Sequence, residues 1–240
     1  MLHRPAPDRE VRQNGGLLNK KEARHGDCRA GRWPVQLRYA TDVTGEEYVS
    51  RELWCEATLS CCPLHPEGGC GFARHGTYRR VSPPGTRVTR WYCPDGHCTF
   101  SLLPDCLAAR LSGTLAEVES VVRHVEQAES LEAACADLRL DIELPGVLRW
   151  VRRRVAAVQA SLIVLKGLLP EYFSACEPTL GAFARCLDVD DVLVTLRQIA
   201  ADFLHQLRSP LGFVPRRKPE GGRDRSRQHR AGADPPTLER

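Results

Sequence analysis

Two groups of soft metal ligands stand close together in the middle of the chain. The first reads Cys61-Cys62-Pro63-Leu64-His65-Pro66-Glu67-Gly68-Gly69-Cys70, and the second reads Cys93-Pro94-Asp95-Gly96-His97-Cys98. Thiolate and imidazole are the ligands Zn2+ favours, and two short turns about 20–30 residues apart can close a tetrahedral site between hairpins. Cys62 and Cys93 each precede a proline at matching positions. They anchor the expected set Cys62, Cys70, Cys93 and His97, around one structural Zn2+. His65, Cys98 and Cys61 are alternates. Cys62-x2-His65 has the tighter knuckle spacing, and Cys93-x4-Cys98 is sterically open. Cys62-x7-Cys70 needs a longer loop, for which Gly68, Gly69 and Gly71 supply backbone freedom.

The elements that position these turns can be read on either side of them. Val35–Thr41 and Tyr48–Leu59 show rough alternation and read as strands. Phe72–Arg80 and Thr86–Tyr92 read as a hairpin around the turn signal Ser82-Pro83-Pro84-Gly85, and Thr99–Leu103 reads as a further strand. A segment this small cannot bury enough apolar surface alone, so metal affinity becomes folding free energy. After Pro104 the pattern turns helical. Thr114 and Glu117 spell a capping box before Leu115, Val118, Val121, Val122 and Val125. Ser130 opens a short helix, and Pro145 opens another that runs towards Leu169, with Pro170 as its stop. A last amphipathic helix is expected from Val189 to Leu207, with an apolar face able to pair with a second copy. Asp188, Asp190 and Asp191 read as its N-terminal cap. The fold class is therefore α+β: a disordered arm at 1–34, a zinc-ribbon-like β domain at 35–105, a helical domain at 106–207 and a disordered basic tail at 208–240.

Charge distribution points to a polyanionic partner. The net charge of +4 is concentrated at the C-terminal end, where residues 208–240 hold nine Arg/Lys against four Asp/Glu. Between Gly68 and Pro94 there is no acidic residue, while Arg74, Arg79, Arg80, Arg87 and Arg90 are interleaved with Phe72, Tyr78, Trp91 and Tyr92. Such a face neutralises phosphates and stacks on sugar or base. Residues 130–155 have the pattern of a helix-turn-helix with a long turn. Ala133 and Ala134 allow close helix approach, and Arg149, Arg152, Arg153 and Arg154 lie on or near the exposed side of the second helix. DNA is the expected partner, with RNA as the alternative polymer.

Other classes are disfavoured. The first residues carry Arg4, Asp8, Arg9 and Glu10 where a secretion signal needs an apolar core, and no apolar run reaches the ~18 residues of a membrane span. Eleven cysteines without a signal peptide suggest metal ligation and buried thiols, and a cytoplasmic protein. Heavy use of Ala, Arg, Leu and Gly suits a GC-rich bacterial genome. Cys106, Cys135, Cys176 and Cys186 fall in helical patterns as small hydrophobes.

His75-Gly76-Thr77-Tyr78-Arg79-Arg80, Trp91-Tyr92-Cys93-Pro94 and Thr99-Phe100-Ser101-Leu102-Leu103-Pro104-Asp105 together resemble the zinc-ribbon segment of bacterial insertion-sequence transposases and their stand-alone relatives. A helix-turn-helix commonly follows that segment, and the resemblance covers roughly residues 60–158. It implies recognition of transposon-end DNA or a regulatory role. The family usually shows Cys-x2-Cys at both turns, from which this chain departs at His65 and Gly96. No carboxylate triad and no RNase H-like domain can be traced, so no catalysis is expected of this chain. A structural zinc protein mediating protein contacts, or a non-catalytic subunit of a split transposase, are the alternatives.

Overall fold

The computed structural model describes residues 35–138 and 144–214. The expected N-terminal arm at 1–34, the break at 139–143 and residues 215–240 of the expected tail lie outside the described residues. The chain is mixed α and β. Strand β1 (Val35–Tyr39) and helix α1 (Gly45–Ser50) lead to the metal turn, followed by β2 (Ala73–Arg79), β3 (Arg87–Cys93) and β4 (Cys98–Pro104). Seven helices in all are described. The later ones are α2 (Leu115–Gln127), α3 (Leu131–Leu138), α4 (Leu144–Leu168), α5 (Pro170–Phe173), α6 (Leu180–Leu187) and α7 (Val192–Ile199), with a 3-10 turn at Ala201–Phe203.

The four strands form one sheet in the order β1-β4-β3-β2. β4 pairs antiparallel with β3 and parallel with β1, so the N-terminal strand closes the sheet on the far side from the basic hairpin. β2 and β3 pair antiparallel with an irregularity between Arg74 and Thr77.

Tyr48–Leu59 is not a strand. Thr44 and Glu47 cap each other reciprocally and start α1, and tight turns follow. The motif is the same Thr-x-x-Glu box that starts α2 at Thr114 and Glu117, where both reciprocal bonds also form. Its product is a knuckle that drives Tyr48, Leu53 and Trp54 into the core, each at most 5% exposed.

The main core spans both regions. Val88 and Leu103 of the sheet join Leu115, Val118 and Val122 of α2, Val158, Leu162 and Leu165 of α4, and Leu193 and Leu196 of α7. The boundary expected at 105–106 falls inside Ser101–Ala109, every residue of which is buried. Buried backbone needs partners, and arginines supply them. Arg38 holds the buried Asp105 carboxylate with two nitrogens, at 2.8 and 2.7 Å. Arg80 donates to Ala108 O and Leu111 O. Arg197, fully buried, donates to the carbonyls of Pro104, Asp105, Leu107, Pro210 and Leu211. Burial pulls its pKa down to about 10, so it remains a cation at neutral pH.

α2 also organises the C-terminal helices. Glu119 accepts from the Val192 and Leu193 amides at the start of α7, and Glu126 accepts from the Leu180 and Gly181 amides at the start of α6. A carboxylate at a helix N-terminus complements its dipole and its unpaired N–H groups. Asp191 occupies the N-cap position of α7 without a side-chain bond, and Asp188 instead ends α6 in a left-handed turn (φ 54°). The expected helix from Val189 to Leu207 is thus α7 plus a 3-10 turn, and α6 was not anticipated. Val192, Leu193, Leu196, Ala200, Leu204 and Leu207 all face the chain's own core, which corrects the reading of 189–207 as an apolar dimer face. The start of the expected disordered tail is ordered too, with Leu211 and Phe213 buried. No described helix is long and apolar enough to cross a membrane.

Candidate metal centre and basic surface

Cys62, His65 and Cys70, on the turns before β2, are brought up against Cys93 at the end of β3. Their ligand atoms all lie within 4.8 Å of one another. His65 Nδ1 is 3.6 Å from Cys62 Sγ and 3.3 Å from Cys93 Sγ. Metal–sulfur bonds of about 2.3 Å and metal–nitrogen bonds of about 2.0–2.1 Å set tetrahedral S···N edges near ~3.6 Å, so the spacing fits one tetrahedral ion such as zinc.

Local structure explains the set. His65 N–H bonds to Cys62 O at 3.1 Å, closing a knuckle that turns the imidazole back on the thiol. Gly68 and Gly69 take left-handed conformations (φ 87° and 83°), the bend that returns the chain to Cys70. In the second turn the Gly96 amide donates to Cys93 Sγ at 3.2 Å. A Cβ on Gly96 would meet Leu64 Cδ1 at 2.5 Å and Cys93 Sγ at 3.3 Å, so a side chain there would displace Leu64 and press on the thiol where the two turns abut. Burial favours the neutral Cys62 thiol, but hydrogen bonds from the His65 ring and the Leu64 and His65 amides outweigh it and lower the pKa. The Cys93 thiol, by contrast, is pushed up to about 11, first by burial and then by neighbouring thiols, against the Gly96 amide. A cation held between them would supply the charge that lets clustered thiolates coexist.

His97, expected as the fourth ligand, stands outside this group, and its alternate His65 occupies that place. Cys93 and Cys98 pair across the β3–β4 turn. His97 precedes Cys98 in a left-handed conformation (φ 47°), and its Nδ1 lies 3.4 Å from the Tyr92 hydroxyl. Tyr92 and Cys93 point to opposite faces of the sheet, so His97 follows the wrong neighbour to ligate. Cys98 is buried beside the centre among Phe100 and the ligand thiols, while Cys61 is exposed. The Cys62-x2-His65 spacing was the sequence signal for the observed set. Of the remaining thiols, Cys106 and Cys135 are buried as expected, whereas Cys186 is exposed and Cys176 half-buried.

The arginines divide into two kinds. Arg74 is tied down by Trp54 O at 2.7 Å, Cys55 O at 3.1 Å and Thr89 Oγ1 at 3.4 Å. Arg80 is spent on the buried loop, where desolvation lowers its pKa. Arg154, expected near the exposed side of α4, is buried and stacks over Trp150 at 3.8 Å. Arg79 and Arg87 are exposed and directly opposite in the β2–β3 register, and Arg90 is half-buried. Arg149, Arg152 and Arg153 are exposed on one face of α4, which is a single helix running well past residue 155. The hairpin turn and α4 meet at a cleft of about 600 Å3 lined by Ser82, Ser112, Glu117, Ser120, Trp150 and Arg154.

No family model, no curated protein and no solved structure matches this chain.

Proposed function

We propose that this protein is a zinc-dependent DNA-binding protein without catalysis of its own. The observation that carries the proposal is the Cys62/His65/Cys70/Cys93 group at the base of a hairpin that holds no acidic residue. The ion would fix the two turns and so hold β2 and β3 at a defined angle to the helices. Arg79 and Arg87 face each other as like charges, an arrangement that costs stability unless an anion lies between them. A phosphate backbone supplies that anion, and its neutralisation releases counterions. Arg149, Arg152 and Arg153 add a second cationic face on α4, reached across the cleft at Ser82 and Trp150. The pair α3 and α4 would act as the helix-turn-helix, with α4 as the reading helix. The likeness to transposase segments favours mobile-element ends as the DNA, recognised as part of an element or by a regulator.

Elemental analysis and salt-dependent DNA titration test this together. We expect one zinc per chain, lost in Cys62→Ser, His65→Ala and Cys93→Ser, with DNA affinity lost alongside. Protein that is fully reduced, freshly purified and zinc-free, yet binds DNA unchanged, would overturn the proposal. The second reading, a zinc module for protein contacts, predicts that deleting 215–240 abolishes all nucleic-acid binding.

A further inference from the structure

We infer that the open end of the sheet face opposite the metal ligands, around Tyr92 and His75 and beyond the part that Val88 and Leu103 bury in the main core, is a platform for the unpaired bases of single-stranded DNA. This rests on the DNA reading above and names the form of polymer that the face takes. Strand alternation sorts the side chains. Trp91, Cys93, Cys98 and Phe100 belong to the small cluster on the metal side, so Arg90, Tyr92, Thr99 and Ser101 stand on the other side. Two rungs cross that second side. Ala73, Tyr92 and Thr99 form one, with the His75 ring leaning on Tyr92 from the irregular part of β2, and Arg90, Ser101 and Gln36 form the other.

The first rung is aromatic and open to water. The His75 and Tyr92 rings lie 5.4 Å apart and tilted by 39°, and the Tyr92 hydroxyl reaches His97 Nδ1. His75 and His97 are exposed and Tyr92 is half-exposed, so these rings are not filling a core. Exposed rings on a sheet are surfaces on which nucleobases stack, whatever their sequence. The second rung carries two unmet polar atoms. Arg90 Nε, a donor, and Gln36 Oε1, an acceptor, are shielded from water and have no hydrogen-bond partner among the described residues. Both atoms lie beneath the surface beside Ser101, which is 2% exposed, so this rung borders the platform and the open rings of the first rung carry the stacking. The absence of acids from Gly68 to Pro94 leaves nothing on β2 or β3 to repel its backbone. A duplex fits less well, because its bases are stacked inside and its groove edges suit a helix or ribbon more than a sheet face.

The test is fluorescence anisotropy with the zinc-loaded full chain. Its probes are a mixed-sequence DNA strand of about 20 nucleotides, the matching duplex, and RNA of the same sequence. The expected result is single-stranded DNA bound about tenfold tighter than duplex. Tyr92→Ala should lose about tenfold on the single strand with its zinc retained, and Tyr92→Phe should keep the affinity. His75→Ala, on a different strand, gives a second reading should Tyr92→Ala lose its zinc. Duplex bound as tightly as the single strand, with both alanine variants unchanged, would overturn the platform and leave the DNA reading standing. RNA bound tighter than DNA would overturn the choice of polymer. No binding to any of the three would overturn both readings.

Discussion

The two sides of the sheet are held by different physics. On one side Cys62, Cys70, Cys93, Cys98 and Phe100 form a small buried cluster, edged by Phe72 and Trp91 stacked at 5.2 Å. Four of its five buried members are thiols, three of them in the candidate ligand group, so little apolar surface remains to stabilise the 59–72 segment folded over it. On the other side Val88 and Leu103 enter a large core shared with α2, α4 and α7. That side tolerates buried charge because its guanidinium and carboxylate groups are met by backbone partners, as at Arg197 and Glu119. Where apolar area is abundant, polar groups can be used to fix geometry. Where it is scarce, a metal held by the Cys62/His65/Cys70/Cys93 group would contribute the missing folding energy.

Metal removal should give the largest effect and break the comparison most directly. Structural zinc contributes about 10 kcal/mol or more at neutral pH. Chelation, or Cys93→Ser, should therefore abolish the near-UV CD of the sheet while most helical signal at 222 nm survives. Simultaneous loss of both signals would show that the helical side also depends on the ion. Acid should act in the same direction, since thiols and imidazole bind metal only when deprotonated, so lowering pH releases the ion and raising it restores binding.

Arg197→Met comes next. It strips five carbonyls of their donor, and we expect a loss of about 3–5 kcal/mol by denaturant titration with zinc content unchanged. Glu119→Ala should cost about 2 kcal/mol, because the α7 amides it serves are buried, and the more exposed Glu126→Ala about 1 kcal/mol. The ranking of these two, measured in the same titration, sharpens the view that α2 caps its neighbours.

The smallest energetic effects separate the two kinds of arginine. Arg79→Ala and Arg87→Ala should leave stability nearly unchanged and lower the salt slope of DNA binding by about one each. Arg74→Ala should lower stability by about 1–3 kcal/mol and leave the slope alone, since its guanidinium is committed to Trp54 and Cys55. Equal behaviour of all three would erase the distinction.

Much of the architecture could be read from local pattern. The three strands that form the hairpin and its neighbour, the Thr114 capping box and the apolar faces of α2 and α4 all appear where period and turn chemistry placed them. Local pattern failed where alternation and a capping box competed at Thr44–Leu59. There the box and burial of Tyr48, Leu53 and Trp54 decided for a knuckle. Type and spacing pointed to Cys62, Cys70 and Cys93, and the fold brings these three thiols together with His65 in a group able to hold a metal ion.

The existence and order of the soft ligands, the acid-free basic stretch and the helical segments follow from residue types and local period alone. Which histidine joins the cysteines was settled by the packed chain, because the left-handed turn at His97 lays its ring against the Tyr92 hydroxyl while the Cys62 knuckle brings His65 inward. The packed chain also decided which arginines face water. A guanidinium looks the same in sequence whether it meets a carbonyl far along the chain or nothing at all, and those carbonyls become neighbours only once the core is packed.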